Sequence, residues 1–130
     1  MIFKTARLTQ ASPIAAIPAP LRGFVVGLAF SRNTGATGDV TVELRRSNFV
    51  SGGAEDELIK RTGSLAAGGL VGDHLFNIAG LATGGPGFAP NQGIPFALSD
   101  TDQNIYIRVS SATTPWTVDV RVILAPVIYP

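Results

Sequence analysis

Cysteine is absent from this 130-residue chain, histidine, tryptophan and methionine occur once each, and only 15% of the residues are charged. Without cysteine there is no disulfide framework and no thiolate metal site. Ten Lys and Arg stand against nine Asp and Glu, a net charge of +1. Binding to a phosphate backbone works through clustered cations. The only cationic pairs, Arg45-Arg46 and Lys60-Arg61, have Glu43, Glu55, Asp56 and Glu57 nearby, so nucleic acid is not expected as a partner. No run approaches the ~18 apolar residues of a membrane helix. The opening MIFKTARLTQ has no long apolar core after its cations, so a secretion signal is not expected.

The shortage of charge is the most informative of these absences. An average globular domain is about 25% charged, whereas this one is 15% charged and 45% hydrophobic. Fewer charges are present than the surface of a single domain of this length would use. Part of that surface is therefore expected to be covered by a partner.

Fifteen Gly and nine Pro punctuate short apolar runs. That pattern predicts many short strands joined by turns. Strands are expected at about 2–8, 21–30, 40–50, 57–61, 70–79, 94–98, 104–110 and 116–124, about eight in all. The fold class is therefore all-β, an antiparallel β-sandwich of jelly-roll-like type, in a single domain spanning 1–130. VTVELRR (40–46) alternates Val40, Val42 and Leu44 against Thr41, Glu43 and Arg45, which is one buried and one wet face. IYIRVSS (105–111) and WTVDVRVIL (116–124) alternate in the same way and predict a hairpin. Across that hairpin, Arg108 would pair with Asp119 for a few tenths of a kcal/mol. A competing helix fits SGGAEDELIKRTG (51–63), with acids early, Lys60-Arg61 late and Gly63 at the stop.

Two uncharged segments are read as extended arms. QASPIAAIPAP (10–20) carries three prolines, and proline cannot occupy a helix interior or a central strand. Residues 123–130 run apolar to Pro130. A third segment, ATGGPGFAPNQG (82–93), is a charge-free Gly/Pro loop, and disorder normally goes with charge. These segments are expected to lie on neighbouring chains, with Ile14, Ile17, Phe88, Val127, Ile128 and Tyr129 as the contacts.

Signals for chemistry are sparse. His74 is the sole histidine, and Asp73 beside it would point to the opposite strand face; no G-x-S-x-G is present. Asp100, Asp102 and Asn104 alternate as calcium ligands can, but the loop lacks the Gly and Glu that would complete an EF-hand at positions 105 and 111. An Asx turn accounts for them. The glycine clusters lack a phosphate-cradling Lys and a following helix. Among Trp116, Tyr106 and Tyr129, which could stack on sugars, Trp116 is assigned to the core and Tyr106 to the wet face. No catalytic residue, cofactor or metal is expected, and the chain is not expected to be an enzyme.

The low charge, absent cysteine, Gly/Pro loop and terminal NIYIRVSSATTPWTVDVRVIL together resemble the small structural proteins of tailed bacteriophages. The likeness to head decoration or cement proteins is one of overall style, without a diagnostic motif. It implies a virion location, a β-sandwich, self-association by preference as a trimer, and contact with a capsid protein. The alternative is a carbohydrate-binding module, which the same fold supports.

Overall fold

The computed structural model describes residues 2–34, 38–49, 56–65, 70–74, 94–112 and 115–127. Nine strands lie among them: β1 (Ile2–Thr9), β2 (Ile14–Pro18), β3 (Arg22–Thr34), β4 (Gly38–Arg45), β5 (Glu57–Leu65), β6 (Leu70–His74), β7 (Ile94–Ala97), β8 (Asn104–Ser111) and β9 (Thr117–Pro126). They form two antiparallel sheets. The first has the order β1-β9-β3-β6, with β7 also on β3; the second has the order β2-β8-β4-β5.

β6 and β7 occupy one lane in succession. β6 pairs along β3 from Ser31 to Gly27, and β7 continues from Val25 to Arg22. Four lanes thus face four lanes. Consecutive strands mostly cross between the sheets, the order that interlocked Greek keys produce in a jelly roll. Two alternating sets of side chains close on each other to form the core. Leu8, Val25, Leu28, Phe30, Val118, Val120, Val122 and Leu124 come from the first sheet. Val40, Val42, Leu44, Ile105, Ile107 and Val109 come from the second. Trp116 is buried with them, as its place on the apolar side of WTVDVRVIL requires.

Three expectations change here, and one open choice is decided. The hairpin of 105–111 with 116–124 does not form: β8 pairs with β2 and β4, while β9 pairs with β1 and β3. Alternation reports that a strand buries one face on the core. A strand in the same sheet and a strand in the opposing sheet give the same pattern. The link between them is a crossing, and Arg108 and Asp119 find other partners.

The strand expected at 57–61 forms, as β5, in place of the competing helix at 51–63, and its register sets Ile59 against Leu44 and Lys60 against Glu43. Cross-strand partners and a core place for Leu58 and Ile59 outweigh a marginal one-off helix. Residues 51–55 lie outside the described part.

The arm at 10–20 contains β2, an edge strand of the chain's own sandwich. Pro18 sits at its end, where the missing N–H costs least. Ile17, expected as a partner contact, is 6% exposed in the chain's own core. Its alternation with Ile14 was hidden by the small residues between.

The arm at 123–130 is, up to Pro126, the end of β9, an interior strand. Its continuous apolarity has a local cause. Ile123 lies on the outer face over Gly27, so close that a Cβ on Gly27 would come within 2.7 Å of Ile123 Cδ1. Burial on both faces removes the alternation. Just before Gly27 the β3–β9 register slips, leaving Val26 as the extra residue of a bulge.

Candidate functional site

The registers arrange the outer face of the first sheet in rows. Phe3, Ile123 and Gly27 form one row; Thr5, Arg121 and Ala29 the next; Arg7, Asp119 and Ser31 the third. On the other side of the Phe3 row, Ala125, Phe24 and Pro95 lie abreast, followed by Arg22 and Ala97. The face is therefore divided. One half is apolar but for Arg22 at its corner, the other polar and charged.

Phe3 is the most exposed large hydrophobic among the described residues, at 60%. Pro95 and Ala97 beside the apolar half are also exposed, and Phe24, Ala125 and Val127 are half-buried. Leu21, 37% exposed, stands at the same end of the sandwich, where its carbonyl accepts from the Leu98 N–H. Val127 is held there by its N–H donating to the Arg22 carbonyl.

In the polar half an open depression of about 600 Å³ is lined by Thr5, Ala6, Arg7, Ala29, Ser31, Asp119 and Arg121, with Phe30 and Val120 beneath. Arg7 donates to Asp119 through Nε at 2.8 Å and Nη2 at 3.0 Å, a two-pronged pair. The Asp119 carboxylate raises the Arg7 pKa, first through that hydrogen bond and then through its charge. Arg121 makes no hydrogen bond or ion pair with a described side chain; its guanidinium stands 6.0 Å from the centre of the Phe3 ring.

The second sheet carries a different cluster. Arg108 donates to Glu43 at 2.8 Å and Arg45 donates to it at 3.1 Å. Both guanidiniums lie over the ring of Phe49, at 4.5 and 4.9 Å. Glu43 is only 5% exposed. Burial pushes its carboxyl up, but the hydrogen bonds from Arg108 and Arg45 and their charges outweigh burial and hold it below the usual value. All three charges are absorbed in this contact.

The residues singled out in the sequence are scattered. Ile14 is 45% exposed on the outer side of β2, remote in register from the Phe3 rows. Val127 lies at the apolar half. Phe88, Ile128 and Tyr129 fall outside the described residues. His74 pairs in register with Gly27, and Asp73 with Leu28. Tyr106 donates to both carboxylate oxygens of Asp102, at 2.8 and 3.0 Å, and Asn104 donates to the same carboxylate. Only the neutral phenol can donate this bond, so its pKa is raised, with burial adding to the effect. DTDQN is thus a turn whose acceptor is occupied from within. Among the described residues no three His, Cys, Asp or Glu come together as metal ligands.

Arg7, Arg121 and the Glu43 cluster were not singled out from sequence. Asp119 and Arg121 were visible as alternate wet-face positions. Their partners were not, because pairing with β1 spans the whole chain. No protein-family model matches the chain, and no curated protein matches it.

Proposed function

We propose that this chain is a non-enzymatic structural protein that works by self-association, and that the apolar half of the first sheet's outer face is where it docks. The carrying observation is that half-face itself, with Phe3 60% exposed and Phe24, Pro95, Ala97, Ala125 and Val127 around it. The low charge of the chain supports the same reading. Association through about 800 Å² per partner gives a stable contact, and an apolar centre with a polar rim suits it. The charged half of the same face supplies one side of that rim.

The docking surface is a sheet face rather than a pair of arms, since residues 14–18 and 123–126 are strands of the chain's own sandwich. By resemblance of overall style, the assembly is a trimer decorating a virion capsid, with a capsid protein as its further partner. Light scattering of the purified chain at micromolar concentration tests self-association. A discrete multiple of the 13.5 kDa mass supports the proposal; a monomer at every concentration refutes it.

A further inference from the structure

We infer that the depression in the polar half of the first sheet's face is a binding site for an acidic glycan, a saccharide chain bearing carboxylates, with Arg121 as the carboxylate receptor. The depression brings two guanidiniums, Arg7 and Arg121, against one carboxylate, Asp119. Arg7 and Asp119 satisfy each other through two hydrogen bonds, so Arg121 is the charge left for a ligand. A guanidinium presents a planar fork that matches a carboxylate. The ring of Phe3 flanks Arg121 and restricts where the head can go, which lowers the ordering cost of binding.

The remaining lining fits the rest of a sugar. Thr5 and Ser31 offer hydroxyls that donate and accept. Asp119 is 40% exposed on its side chain, so a ligand hydroxyl can reach it. Ala29 lies beside Arg121 in register and leaves room above the sheet. A volume near 600 Å³ falls within the roughly 300–1,000 Å³ of ligand sites.

Two features choose the glycan over other anions. One spare cation suits a singly charged unit rather than a polyphosphate, which takes clustered cations. The depression is open along the sheet, so a small free hydroxy acid would stay largely in water, whereas successive units of a chain can lie across it. This site borders the apolar half at Phe3, and its test reads ligand binding, whereas self-association is read from the solution mass.

Titration calorimetry tests it, with trigalacturonic acid, its carboxyl-reduced counterpart, free galacturonic acid and inorganic phosphate as probes. The trimer should bind, with affinity falling about tenfold or more for Arg121→Gln and for the carboxyl-reduced trimer. Lys60→Gln, which removes a cation from the opposite sheet, should bind as wild type does, and far-UV circular dichroism should show Arg121→Gln folded. Absence of trimer binding, equal binding of the reduced trimer, or full binding by Arg121→Gln overturns the inference. Free galacturonic acid or phosphate binding as tightly as the trimer overturns the assignment to a glycan.

Discussion

Glu43 shows how a surface pattern can hide a buried contact. Its place in VTVELRR marks it as solvent-facing, and it does leave the core side of β4. The shield comes from Arg45, Arg108 and Phe49, whose convergence depends on the β4–β8 register. Replacing Glu43 with Gln removes the charge that two guanidiniums were built around. The expected loss is about 1.5–3 kcal/mol, the scale of hydrogen bonds to charged groups, read from urea or thermal unfolding. The pH dependence has a definite sign. The folded carboxyl titrates below its unfolded value, so its contribution is present above the ordinary Glu range and is lost as pH falls through the depressed folded value. Stability of the wild type should therefore drop on acidification below about pH 4.5, and Glu43→Gln should flatten that part of the curve.

Two glycines of β3 are also set by contact. A Cβ at Gly23 would meet the Ala125 carbonyl oxygen at 2.6 Å, whereas at Gly27 it would meet the end of the Ile123 side chain at 2.7 Å. A side chain can turn aside and a backbone carbonyl cannot. Overpacking costs about 1–3 kcal/mol. Gly23→Ala should therefore destabilise more than Gly27→Ala in the same unfolding assay, and Ile123→Val should relieve Gly27→Ala alone.

At the scale of elements, most strands were legible because each buries one face and punctuates its ends with Gly or Pro. What local pattern could not supply was the partner of each strand. WTVDVRVIL and IYIRVSS read as mates because they are neighbours in sequence; in the sandwich they face each other across the core. β2 was missed because Ala15, Ala16 and two prolines dilute its single buried anchor, Ile17. The candidate site was less legible than the fold. It draws on β1, β9 and β3, and both adjacencies among them follow only from topology.

The edges of both sheets carry safeguards. Lys4 on β1 pairs with Val122, and Arg61 on β5 pairs with Val42, so both cations occupy core-side positions on edge strands. β2 ends in Pro18. Inward charges and edge prolines oppose pairing with another chain. Open-ended growth through strand addition is thereby disfavoured. Lys4→Val should make the protein prone to aggregate, measured as rising turbidity at fixed temperature, with native secondary structure at the outset. A soluble Lys4→Val protein under those conditions would remove this role for Lys4.

At the scale of the whole molecule, the sandwich places its few charges unevenly. The second sheet spends several of them on one another around Glu43, and the first sheet sets three, Arg7, Asp119 and Arg121, at one half of its outer face. Among the described residues, the other half, around Phe3, holds only the charge of Arg22, at its corner. An exposed apolar patch rimmed by polar groups marks an interaction surface. The shortage of charge in the composition thus acquires a location, which the sequence alone had put on the chain ends.

The most direct measurement is the solution mass of wild type and Phe3→Ser by light scattering across micromolar concentrations, alongside their circular dichroism and melting curves. Docking through the Phe3 face requires a discrete oligomer for wild type and a shift towards monomer for Phe3→Ser, with the fold retained. A monomeric wild type, or an oligomer that a folded Phe3→Ser leaves intact, would contradict it.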